Sequence, residues 1–220
     1  MNNIKAVVFD FDGTLYDKKG IGTKVILQNV WHLRMLSVTR NVCTSFRGKY
    51  FGSKDKLFSE LFAKIAEEAD VTQKKAQNWY YENYIGSMIR ILQKCYKVRP
   101  KSKELISELH KRGITVILYS DYGMCKERVM AIGFDPSDFD KLYSSSEFGG
   151  LKPSEMAFNK MLSENGFSAK EVLIVGDSEE CDGECAKRSG AEFFRIKTDE
   201  DMEKLFNILI SQSTVTEEKQ

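Results

Sequence analysis

Short apolar runs that stop at a potentially reactive polar residue constrain this chain more than any other feature. Ile4 to Phe9 is apolar apart from Lys5, with two adjacent valines, and stops at Asp10. Ile114 to Tyr119 stops at Ser120-Asp121, and Val172 to Val175 stops at Gly176-Asp177. Runs this short, without polar alternation, suit strands covered on both faces, as in a parallel sheet. Two further strands are expected at Lys141 to Ser144 and Glu192 to Ile196. Helical periods separate the runs. Leu105, Ile106 and Leu109 make one face, stopped at Gly113, where glycine suits the position after a helix. A helix is expected to start at Pro153, since proline suits the first helical position. A last helix is expected near Asp201 to Ile210. Strands alternating with helices predict a parallel α/β sheet.

Between about Asp17 and Val98 the texture changes to helical periods alone. Leu57, Leu61, Ile65 and Ala69 recur four apart behind Ser53, a suitable N-cap. Tyr81, Ile85, Met88, Ile89 and Leu92 trace another stripe, and Val25 to Val42 reads as helix too. The expectation is an all-helical insert, with Trp79-Tyr80-Tyr81 in its core.

In open parallel sheets, ligands sit beyond the carboxyl ends of the strands. Asp10, Ser120 and Asp177 are therefore expected to meet at one edge, with Lys152 directed there from before a helix. Asp10 and Asp177 are hard oxygen donors suited to Mg²⁺. Gly13 lets the chain turn and bring Asp12 over Asp10, so one carboxylate can attack while the other moves protons. Ser120 and Lys152 offer a hydroxyl and a positive charge to phosphate oxygens.

Bulk properties narrow the partners. Among 220 residues, 33 basic and 32 acidic side chains leave a net charge of +1, so no charge excess points to nucleic acid or an anionic membrane. No apolar run is long enough to span a bilayer. Five scattered cysteines suggest free thiols and a cytoplasmic protein. Cys181 and Cys185 are too widely spaced and too few for a structural zinc site. His32 and His110 are expected as surface or packing residues.

In order and spacing, Phe9-Asp10-Phe11-Asp12-Gly13-Thr14-Leu15, Ser120-Asp121, Gly150-Leu151-Lys152-Pro153 and Val175-Gly176-Asp177-Ser178 with Asp182 resemble the four motifs of the haloacid dehalogenase-like hydrolases. The resemblance runs from Ile4 to about Ile210. It implies a Rossmann-like catalytic core from residues 1–16 and 99–212 and a helical cap at 17–98; the polar end of the chain, 213–220, is expected to be a flexible tail. It implies Asp10 as nucleophile and Asp12 as general acid and base, with the Asp12 main-chain carbonyl on the metal. Thr14 would steady Asp12 and the phosphate loop. Ser120, the Asp121 amide and Lys152 would hold the phosphoryl group. Asp10, Asp12, Asp177 and Asp182 would surround Mg²⁺. Cys181 stands where many relatives carry asparagine.

The function expected from this resemblance is Mg²⁺-dependent hydrolysis of a small phosphorylated metabolite through an aspartyl-phosphate, by a monomer or homodimer. A phosphomutase is the alternative, disfavoured because Tyr16 to Lys19 holds no histidine. A haloacid dehalogenase would need neither Asp12 nor a metal, and a regulatory protein would not need the whole set. Arg47, Lys49 and Lys54, between two cap helices, read either as a solvated connecting loop or as candidate contacts to an anionic leaving group.

Overall fold

The computed structural model describes residues 3–211; the tail expected at 213–220 lies outside the described residues. Strand β1 (Ala6–Phe9) is buried throughout. It pairs in parallel with β2 (Thr115–Ser120) on one side and β4 (Val172–Gly176) on the other. With β3 (Lys141–Ser144) and β5 (Glu192–Arg195) at the edges, the sheet order is β3-β2-β1-β4-β5, all parallel. This is a Rossmann-like α/β architecture.

Alternate residues of each strand face opposite sides of a sheet. Val7, Phe9, Val116, Leu118, Leu173 and Val175 pack under helices α6 (Ser102–Lys111), α7 (Cys125–Ile132) and α10 (Asp199–Ser211). Ala6, Val8, Ile117, Tyr119, Val172 and Ile174 pack under α8 (Glu155–Glu164) and α9 (Glu184–Ser189). Two covered faces explain why the strand sequences are apolar without alternation. Each fully buried leucine, valine or isoleucine contributes roughly 1.5–3 kcal/mol.

Between β1 and β2 the chain is helical: α1 (Ile21–Gln28), α2 (Leu33–Phe46), α3 (Lys54–Ala69), α4 (Gln73–Asn78) and α5 (Gly86–Cys95), the last two joined by wide π-type turns over Trp79–Ile85. These helices bury an apolar cluster of their own, centred on Leu57, Leu61, Ile65, Tyr80 and Ile85. Ser53 caps α3 through the amide of Lys56 at 3.2 Å, and Trp79 donates to the Thr39 hydroxyl at 3.0 Å.

Three expectations change. The helix read over Val25 to Val42 breaks at Asn29, whose side-chain amide donates to the Val25 carbonyl and the Ser87 hydroxyl, satisfying the end of α1. Helix α8 starts after Pro153, because Ser154 is the residue that caps it. Helix α7, with Cys125, Val129 and Ile132 buried one or two turns apart, has no counterpart in the sequence reading.

Candidate active site

The three central strands deliver Asp10, Ser120 and Asp177 to one edge. Phe9 is level with Leu118 and Val175, and the Asp10 amide donates to the Val175 carbonyl at 2.8 Å. Asp10 is buried. One of its carboxylate oxygens accepts from the Thr14 hydroxyl at 3.0 Å and the other from the Lys152 ammonium at 2.6 Å. The same ammonium donates to Asp182 at 2.6 Å. Oxygens of Asp10, Asp177 and Asp182 lie within 4.8 Å of one another, and Lys18 pairs with Asp177. Burial raises the Asp10 carboxyl to about 6 against the pull of Lys152, with Asp182 adding to the rise. Asp10 and Asp182 together hold Lys152 charged despite its burial.

The loop after β1 depends on Gly13. Its φ is +89°, and a Cβ there would run into the carboxylate of Asp177, so only glycine permits both the turn and the approach. Arg99, buried where the chain returns from α5, donates to the carbonyls of Gly13 at 3.1 Å and Thr14 at 3.0 Å, holding that loop from below.

Asp12 points to a different set of partners. It accepts from the Tyr16 hydroxyl at 2.6 Å and is ion-paired with Arg128. Arg128 is almost fully enclosed, donates to the Ser120 hydroxyl at 2.9 Å and the Tyr122 carbonyl at 3.0 Å, and lies over the Phe11 ring. Thr14 therefore steadies Asp10 rather than Asp12, because the one hydrogen of its hydroxyl is donated there. The Ser120 hydroxyl is buried against Arg128. The Asp121 carboxylate accepts from the Lys152 amide and the Ser145 hydroxyl, both at 2.7 Å, and so fastens the segment that presents Lys152.

A cavity of about 380 Å³ opens over these groups, lined by Asp10, Asp12, Lys152 and Asp177 from the sheet side and by Val25, Arg40, Arg47, Tyr84 and Met88 from the helices. That volume suits a small metabolite. Of the three cationic residues read between the helices, Arg47 lines the cavity. Lys49 instead sits over the Phe46 ring, and Lys54 is the first residue of α3. Cys181 also lines the cavity, whereas Cys185 is buried in the core.

The sequence reading missed Tyr16, Lys18, Arg40, Arg99 and Arg128. The helix that carries Arg128 was legible in principle, since Cys125, Val129 and Ile132 show helical spacing, but the contact of Arg128 with Asp12 was not.

Residues 4–190 match the family model of the haloacid dehalogenase-like hydrolases. The chain belongs to this family. Solved structures with the same fold include 2-haloacid dehalogenase from Pseudomonas syringae pv. Tomato DC3000, at 16% identity and TM-score 0.62, covering 96% of this chain and 100% of that one. YfnB from Bacillus subtilis, whose structure holds magnesium, matches at 16% identity and TM-score 0.62, covering 94% and 100%. CbbY from Rhodobacter sphaeroides, in complex with phosphate, matches at 19% identity and TM-score 0.59, covering 89% and 88%. No curated protein sequence matches. Among the described residues, no helix is long and apolar enough to cross a membrane.

Proposed function

We propose that this hydrolase is a phosphatase that cleaves a small phosphate monoester through an aspartyl-phosphate on Asp10. The observation that carries this reading is Lys152, whose ammonium bridges Asp10 and Asp182 at 2.6 Å each while Asp177 completes an oxygen cluster. Three carboxylates against the ammonium groups of Lys152 and Lys18 leave a net negative, oxygen-only pocket, which fits a small hard cation. Asp10, Asp177, Asp182 and the Asp12 carbonyl would hold Mg²⁺, which when bound offsets charge on the phosphoryl oxygens.

Asp10 attacks phosphorus, the bond to the leaving oxygen breaks, and that oxygen takes a proton from Asp12. Water then attacks phosphorus as Asp12 takes its proton, releasing phosphate and restoring Asp10. Tyr16 and Arg128 hold the Asp12 carboxylate in place. When Asp12 carries the proton, Arg128 keeps Ser120 and the Tyr122 carbonyl as partners, so its charge is not stranded. Lys152 holds charge on Asp10 and on the incoming phosphate. Residues 17–98 act as the cap that closes over the cavity and excludes water, with residues 1–16 and 99–212 as the catalytic core.

The test is phosphate release from a generic aryl phosphate. Turnover is expected to require Mg²⁺ and to be inhibited by Ca²⁺, which prefers longer bonds and more ligands. Asp10→Asn is expected to lose roughly a thousandfold or more in kcat while still folding, as circular dichroism would show. Full turnover after chelation, or in Asp10→Asn, refutes the reading. Metal-independent release of halide from a haloacid would instead favour the dehalogenase alternative.

A further inference from the structure

The cavity is electrically divided. Its floor cations are committed: Lys152 to Asp10 and Asp182, Lys18 to Asp177. Arg128, just beneath, is committed to Asp12. At the helical end, Arg40 and Arg47 line the cavity and form no ion pair among the described residues. Among the described residues, the one carboxylate that lines the side chamber beside them is Asp121, already bonded to the Lys152 amide and the Ser145 hydroxyl.

Three observations make this more than two solvated side chains. Arg40 and Arg47 are seven residues apart, which places them on one face of α2 and its end, about 10 Å apart along the axis. Both also line a side chamber of about 140 Å³ that branches off between α2, α3 and Tyr122, so they flank the passage between the two spaces. Arg47 is fixed from behind: it bridges to Leu151, and the Gly48 amide donates to the Leu151 carbonyl at 3.1 Å. One residue further along that strap is Lys152. The backbone that carries Arg47 is thus held at a set distance from the backbone that carries Lys152.

The surrounding sequence points the same way. From Lys18 to Lys54 there are eight lysines and arginines and no aspartate or glutamate, in a chain whose charges nearly balance as a whole. The hydroxyls of Tyr84 and Tyr122, 3.4 Å apart, add polar hydrogens to the same wall.

We infer that Arg40 and Arg47 form an anion subsite for a second negative group, a phosphate or a carboxylate, on the alcohol that leaves. This rests on the phosphatase reading and specifies its substrate class: a doubly anionic ester with its two charged ends set apart. The scissile phosphate sits at Asp10 and Lys152, and the other anion at the two arginines, where a guanidinium offers paired donors to planar or tetrahedral oxyanions.

A matched three-carbon series tests it, with the ester at one end and a phosphate, a carboxylate or a hydroxyl at the other. Both anionic esters are expected to exceed the neutral one in kcat/KM by about tenfold or more, with the larger of the two naming the preferred anion. Arg40→Gln and Arg47→Gln are each expected to lower the anionic-to-neutral ratio about fivefold, through KM rather than kcat. Arg34→Gln, on α2 but outside the cavity, leaves the ratio unchanged. Equal kcat/KM across the series, or equal losses on all three esters, overturns the subsite.

Calorimetric binding to Asp10→Asn separates this failure from failure of the parent reading. If the esters are not hydrolysed, the phosphatase reading falls. The subsite then stands or falls on whether the anionic esters bind tighter than the neutral one and lose that margin in Arg40→Gln and Arg47→Gln.

Discussion

Arg128 is charged, almost fully enclosed, and built into the site by contacts from three directions: the Asp12 carboxylate, the Ser120 hydroxyl and the Tyr122 carbonyl. Removing one side of a buried pair strands the other. Arg128→Met is therefore expected to lower stability by about 2–4 kcal/mol, less than a fully buried pair would lose because Asp12 is partly exposed. Denaturant unfolding measures it. Arg128→Lys should recover only part, since one ammonium cannot reproduce the planar fork that spans Asp12, Ser120 and a carbonyl. At this scale the sequence was readable where a residue ends a strand. Asp10, Ser120 and Asp177 follow from their runs. Arg128 and Tyr16 do not, because each reaches Asp12 through a tertiary approach that no local pattern encodes. Arg40 looks like any polar position of an amphipathic helix until the cavity it faces is known.

At the scale of elements, strand β1 is secured at its start by Glu171. Its carboxylate accepts from Lys5 at 2.5 Å and from the Ser168 amide and hydroxyl. The Lys5 bond and the two from Ser168 hold this carboxyl down to about 2, from an ordinary 4.5. The folded chain therefore binds that proton less readily than the unfolded chain. The resulting stability is present in full above about 4.5 and is lost as pH falls toward about 2. Glu171→Gln is expected to flatten the fall of the unfolding midpoint across that window and to leave its slope at neutral pH alone. A second element depends on glycine. Gly149 has a φ of +81°, and a Cβ there would lie 2.6 Å from the Ser53 nitrogen and 2.7 Å from the Gly52 carbonyl carbon. Gly149→Ala is expected to cost about 1–3 kcal/mol and to loosen residues 47–53 from the sheet side, raising KM in the aryl phosphate assay. The strands, most helices and the cap of α3 were legible because period and capping are local signals. The pairing of residues 47–51 with 149–151 was not, because it joins segments a hundred residues apart through backbone groups that every sequence carries.

At the scale of the whole molecule, the helices between β1 and β2 connect to the sheet by more than the chain itself. The chain crosses outward after Leu15 and returns at Arg99, whose amide donates to the Leu15 carbonyl at 2.7 Å, so the two crossings are bound side by side. Joined there alone, the helices could swing about a single pivot. The strap adds an attachment elsewhere: Phe51 donates to the Gly149 carbonyl at 2.7 Å. With the Gly48 amide on the Leu151 carbonyl, the Tyr84 and Tyr122 hydroxyls together and α5 packed on α7, the helices are held at several separated points and cannot swing wide without releasing some of them. If these helices open as the proposed cap, wide opening is expected to break the Phe51 bond. The Phe51 amide is then a clock for opening. Its hydrogen-exchange rate should slow when a ligand fills the cavity and quicken in Gly149→Ala, and an exchange rate indifferent to both would show that the molecule breathes along some other line.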